Sequence, residues 1–214
     1  MTGRGSVAVE EEDGGVPFIR VVAAAGAEDA EGPLADLFAS EQRSFGYLPN
    51  LARTLGIRPD VYRAWRDLIG AIRASMPQQR YELATLAAAA ELHSSYCSLV
   101  HGRILAGLMP EDLVVAVVDD AAALDPADRA IVDLARRIVR DATAVEAADL
   151  DRLRQHGLRD EEIFDVILAV TARCFFSKLL DATGTPPDAA LAAMPSSLRE
   201  PLTVGRPIER GTAG

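Results

Sequence analysis

Cys97, His101 and Glu82 are the residues of this chain best placed to do chemistry together. The run Ser94-Ser95-Tyr96-Cys97-Ser98-Leu99-Val100-His101 sets a thiol and an imidazole four residues apart, which on a helix is one turn along the same face. If that helix begins near Ser94, Cys97 falls in its first turn. Unpaired backbone N–H groups and the positive end of the helix dipole there favour a thiolate over a thiol. His101 can then take the thiol proton, or give a proton to whatever Cys97 attacks. Glu82, upstream of both, brings a carboxylate within reach of the pair and can relay that proton.

Each of these residues also has a purely structural reading. A free cysteine is most often a small buried hydrophobe, a lone histidine a satisfied core residue, and Glu82 could simply pair with Arg80 or a neighbouring helix. Ser94 is expected to cap the helix through its hydroxyl, and Tyr96 either lines a pocket or packs. His93, Cys97 and His101 are spaced by four and would share one face of a continuous helix, with Glu82 as a fourth metal ligand. A helix start at Ser94 places His93 outside that face, so no metal and no cofactor is expected, although His93 could still reach the pocket. Cys174, inside the apolar run from Ile163 to Leu180, reads as core; as a distant resolving thiol it would need a Cα within ~7 Å of its partner's. Trp65 and Phe175 read as core.

The elements that must hold these groups are helical. Pro33-Leu34, Pro59-Asp60, Pro77, Pro110-Glu111-Asp112 and Asp125-Pro126-Ala127-Asp128 all put proline or acidic residues where a first turn wants them. Between these starts apolar residues recur at helical spacing, as in Val61, Trp65, Leu68, Ile69 and Ile72, or Ile131, Leu134, Ala135 and Val139. The stretch from Gln78 to Leu92 carries Ala84, Ala87, Ala88, Ala89 and Ala90. Side chains that small let neighbours approach closely, so the helix bearing Glu82 should be the central one. Residues 1–16 read as a disordered tail, 17–29 as an extended arm packing on the body or on a second subunit, 30–185 as the helical domain, and 186–214 as a C-terminal tail. The end after Pro195 shows no obvious apolar period and is expected to be disordered.

A length of 214 residues, 49% of them hydrophobic and 25% charged, is ample for one buried core. The net charge of −10 argues against nucleic acid as a partner. No apolar run is long enough to span a bilayer, and the acidic stretch Glu10 to Asp13 does not look like a signal peptide. The expectation is a cytoplasmic protein with no membrane partner, and two well-separated cysteines suit a reducing compartment.

This spacing resembles the alkylhydroperoxidase D (AhpD) and carboxymuconolactone decarboxylase superfamily, whose redox members carry Glu, then Cys-x-x-Cys-x-x-x-His, on helices. Glu82 matches the family's relay glutamate, Cys97 the second, peroxide-reactive cysteine, and His101 the relay histidine. Ser94 stands at the first, resolving cysteine. Phe45-Gly46-Tyr47-Leu48-Pro49-Asn50, then Arg58-Pro59 and Trp65, are similar to the entry of the peroxidase-related branch, and Phe175-Phe176-Ser177-Lys178-Leu179 stands where that branch has a Phe-Asn-Arg phrase. Tyr96 falls where the family has a pocket Tyr or His.

The resemblance implies an all-α, AhpD-like fold over residues 30–185, assembled as a homo-oligomer, a trimer or hexamer. It implies a thiol-dependent oxidoreductase that reduces hydroperoxides through Cys97 alone, with His101 and Glu82 managing protons and an external thiol as reductant. The alternative on the same scaffold is a non-redox decarboxylase or isomerase of a small lactone or carboxylic acid, in which Glu82 and His101 do acid–base chemistry. A catalytically silent oligomeric protein is a third possibility.

Overall fold

A computed structural model of the protein describes residues 17–22 and 30–211. The expectation for residues 1–16, and the part of the arm spanning 23–29, lie outside them. The described residues are all-α, with ten α-helices and no strand.

Helix α4 (Gln78–Glu91) starts behind Pro77 and is buried from Tyr81 to Ala89. A helix this apolar all round has no solvent face to present. Its alanines let α5 (Ser95–Leu105), α7 (Pro126–Asp141) and α9 (Asp160–Ala182) pack against it from different sides, as a central helix requires. Helix α7 is capped by the Asp125 carboxylate, which accepts from the N–H groups of Ala127 and Asp128 at 2.9 and 3.0 Å. Its buried stripe of Ile131, Leu134, Ala135 and Ile138 follows the helical period. The helices α1 (Gly32–Phe45), α2 (Asn50–Leu55) and α3 (Pro59–Ala74) form a smaller flanking group; α3 packs on both α1 and α9.

Burial falls into two apolar clusters. The larger runs through α4, α6 (Glu111–Val118), α7 and α9; the smaller gathers Leu37, Phe38, Leu51, Leu55 and Tyr62 with Tyr96, Cys97 and Phe176. Trp65 and Val100 touch both. The seam between the clusters is where the site lies.

The break between α4 and α5 sets the orientation of Cys97. His93 takes the left-handed conformation with φ of 55°; its N–H bonds Ala90 O at 2.9 Å, and the Ser94 N–H bonds Ala89 O at 2.9 Å. This pair of bonds closes α4 and turns the chain back along it. A side chain in that conformation costs about 1 to 2 kcal/mol relative to the right-handed form, so the turn must be held from outside. Gly205 does so: its N–H donates to Ser95 Oγ at 2.8 Å, and a Cβ there would sit 2.0 Å from the His93 carbonyl oxygen.

Residues 196–211 are therefore ordered, against the expectation of a disordered end. Ser196–Leu202 forms helix α10, and Leu191, Met194, Leu198 and Leu202 are buried. Their spacing of three and four residues is a helical period, hidden in the sequence by the prolines that interrupt it. A helix this short is not stable alone; it stands because Leu202 packs on Gly102 of α5, where an added Cβ would come within 2.5 Å of the leucine. Leu202→Ala should lower unfolding stability by about 2 to 5 kcal/mol in urea melts, whereas a free tail would leave it unchanged.

At the other end, residues 17–22 run without regular structure over the body: the Phe18 N–H bonds Thr183 O at 2.8 Å and the Val22 N–H bonds Arg53 O at 3.1 Å. Among the described residues no helix is long and apolar enough to cross a membrane.

Candidate active site

Cys97 is the third residue of α5 and almost fully buried. Its surroundings are not hydrocarbon alone. Arg173, projecting from the middle of α9, donates through Nη1 to Cys97 Sγ at 3.4 Å, and its guanidinium lies over the Phe176 ring at 5.6 Å. Burial works against the charge on Arg173, but the sulfur and the Tyr81 hydroxyl more than offset it and hold the guanidinium pKa above its ordinary value. A fixed cation and a helix N-terminus thus converge on one sulfur, the positive surroundings in which thiol groups react.

His101 follows one turn along α5. Its Nδ1 lies 2.6 Å from Glu82 Oε2, joining α5 to the central helix; Glu82 has no exposed surface. Arg73 Nη2 stands 4.0 Å from the other carboxylate oxygen, which has no hydrogen-bond partner among the described residues. Burial, and then the nearby Arg173 charge, push the His101 pKa down to about 4 against the opposing pull of Glu82. The imidazole is therefore neutral near pH 7. Its hydrogen bond to a carboxylate places the remaining proton on Nδ1 and leaves the Nε2 lone pair free to accept another.

This depressed value has a consequence for stability. Above about pH 6.5 His101 is neutral whether folded or unfolded; between there and pH 4 the unfolded chain binds a proton that the folded one refuses, so stability is lost as pH falls. The full loss is on the order of 3 kcal/mol. Urea midpoints at pH 7 and pH 4.5 should therefore fall more steeply for the native protein than for His101→Gln, and equal slopes would contradict a buried neutral imidazole.

Cys97 and His101 open on a cavity of about 490 Å³. Phe45, Tyr62, Trp65, Tyr81, Tyr96 and Phe176 give it aromatic walls, and Arg66, Arg73, Arg103 and Arg173 also line it. Trp65 and Phe176 stack with centroids 4.0 Å apart. Tyr96 is anchored behind the sulfur: its hydroxyl donates to Asp188 Oδ2 at 2.5 Å and accepts from the Leu51 N–H at 3.3 Å. Asp188 also accepts from the Asn50 N–H at 2.7 Å and the Tyr47 hydroxyl at 3.1 Å, tying α2 to the α5 entry.

The structure thus brings Cys97, His101, Glu82 and Tyr96 together and separates His93 and Ser94 from the roles foreseen for them. His93 is exposed in the left-handed turn and lines no part of the cavity, so the shared face with Cys97 and His101 does not form. Ser94 occupies the N-cap position, but its buried hydroxyl makes no capping bond. Arg80, the alternative partner for Glu82, pairs instead with Glu162 at 2.9 Å. Trp65, read as core, is a cavity wall; Phe175 is half exposed. Cys174 is only partly buried and lines no part of the cavity.

Arg173 and Asp188 are among the residues that escaped the sequence reading. Arg173 was signalled by being the only charge between Val166 and Phe176, where a buried arginine must have a partner. Asp188, following two prolines, carried no such signal.

Solved structures share this architecture. A peroxidase-related protein with an alkylhydroperoxidase AhpD core from Ralstonia eutropha is 24% identical, with a TM-score of 0.70 over 85% of this chain and 95% of its own. The chain has the AhpD-like fold. A peroxidase-related protein from Silicibacter sp. is 20% identical, with a TM-score of 0.70 over 86% of this AhpD-like chain and 96% of its own. The debrominase Bmp8, in complex with 2,3,4-tribromopyrrole, is 18% identical, with a TM-score of 0.67 over 88% and 99%. No protein-family model matches the AhpD-like chain, and no curated protein is similar to it in sequence.

Proposed function

We propose that this protein is a thiol-dependent oxidoreductase that reduces hydroperoxides through Cys97. The observation that carries the reading is the convergence on one cavity of a sulfur bonded to Arg173 and a neutral imidazole held by Glu82. His101 Nε2 takes the thiol proton, and the thiolate attacks the outer peroxide oxygen. The O–O bond breaks as the S–O bond forms, and the departing alkoxide takes the proton back from His101. Cys97 is oxidised to a sulfenic acid and the hydroperoxide reduced to an alcohol.

Ser94 offers no second sulfur, and Cys174 does not line the cavity. The cycle therefore closes with two equivalents of an external thiol: the first forms a mixed disulfide with Cys97 and releases water, and the second frees Cys97 and leaves as half of a disulfide. A debrominase among the fold's solved members agrees with a scaffold used for catalysis. The test is consumption of cumene hydroperoxide by purified protein with dithiothreitol as reductant. Alcohol and oxidised thiol should form in equal amounts at a rate proportional to protein; no rate above the protein-free control contradicts the proposal.

A further inference from the structure

The cavity's charge runs against that of the chain. Overall, 32 acidic residues outnumber 22 basic ones, yet four arginines line this cavity and its lining carboxylate, Glu41, is already paired with Arg66. Arg173 is committed to the sulfur at the buried end. Arg73 and Arg103 are solvent-exposed at its open side. Arg73 lies over Tyr81 at 5.3 Å and only 4.0 Å from Glu82. Arg103 makes no ion pair among the described residues. The stacked rings of Trp65 and Phe176 line the same cavity, and the Trp65 indole N–H, shielded from solvent, has no acceptor among the described residues.

We propose that the substrate class of this site is an organic anion with a planar aromatic body, its ring against Trp65 and Phe176, its carboxylate at Arg73 and Arg103, and its reducible group toward Cys97. The assignment rests on the hydroperoxide reading for its last element only; the recognition of anion and ring stands on the cavity itself. Guanidinium groups bind carboxylates through charge-assisted hydrogen bonds, aromatic faces favour stacked rings, and a cavity of about 490 Å³ is within the ordinary size of small-molecule sites. A small inorganic or aliphatic peroxide would use neither feature.

Binding is measured by isothermal titration calorimetry on the Cys97→Ser protein, so that sulfur chemistry plays no part, with naphthoate, naphthylmethanol and octanoate as probes. Naphthoate should bind about tenfold or more tightly than either the neutral ring or the ringless anion. Arg103→Gln, an exposed change that leaves folding intact, should erase most of the advantage of naphthoate over naphthylmethanol, and Arg73→Gln should do the same. Equal affinities for naphthoate and naphthylmethanol, or a preference untouched by both arginine changes, would overturn the assignment. Anion selectivity together with a Cys97 inert to hydroperoxides would retire the redox reading and keep this ligand class. A reactive Cys97 in a cavity without that selectivity would retire the ligand class alone.

Discussion

Cys97→Ser should abolish hydroperoxide turnover, with a loss of at least about a thousandfold, more than 4 kcal/mol in transition-state stabilisation. A serine hydroxyl stays protonated at neutral pH and has no sulfenic acid chemistry, so neither step of the cycle has a substitute. The fold should survive, because serine fills nearly the same space and can accept the Arg173 N–H that now reaches the sulfur. Thermal melts of the variant should lie close to those of the native protein while dithiothreitol-dependent peroxide loss falls to background. The same variant separates the two chemistries this scaffold could run. A Cys97→Ser protein that keeps its activity on a small lactone or carboxylic acid, while Glu82→Gln loses it, would identify acid–base catalysis by His101 and Glu82 instead.

The second large effect is expected at His101. His101→Gln leaves Cys97 and Arg173 in place but removes the group proposed to take the thiol proton and return it to the leaving oxygen. Acid–base catalysis of this kind is worth roughly 100- to 10,000-fold, so the rate of Cys97 oxidation at neutral pH should drop by about two orders of magnitude. A purely structural histidine would leave the Cys97 oxidation rate of a folded His101→Gln protein close to that of the native one. Glu82→Gln should fall between the native protein and His101→Gln, since a glutamine oxygen can still receive the Nδ1–H but carries no charge to stabilise the imidazolium.

The arrangement of helices was written into the chain by local chemistry: prolines at Pro33, Pro59, Pro77 and Pro110, the Asp125 cap, and the alanine run that makes α4 a buried axis. Those signals act within a turn or two and can be read without knowing the fold. The Glu82, Cys97 and His101 set was legible because helical spacing and a known motif fixed it. Arg173 was less so, since a contact spanning 76 positions is decided by how α9 crosses α5, which no local pattern records. Asp188 and the aromatic cavity wall depend likewise on the packing of distant segments. The C-terminal helix was missed for another reason. Its four anchoring apolar residues keep a helical rhythm, but prolines divide them, and only docking on α5 makes so short a helix stable. His93 shows the reverse error: its spacing invited a shared face with Cys97 that a single left-handed residue removes.

The most direct measurement is the chemical state of Cys97 itself after one exposure to cumene hydroperoxide without reductant. Trapping with a dimedone-type probe, followed by peptide mass spectrometry, should place a sulfenic acid on the Cys97 peptide at near one equivalent and leave Cys174 unmodified, with reversal by dithiothreitol when the probe is withheld. A Cys97 peptide that stays a free thiol in excess hydroperoxide, in protein shown to be folded, would contradict the account at its centre.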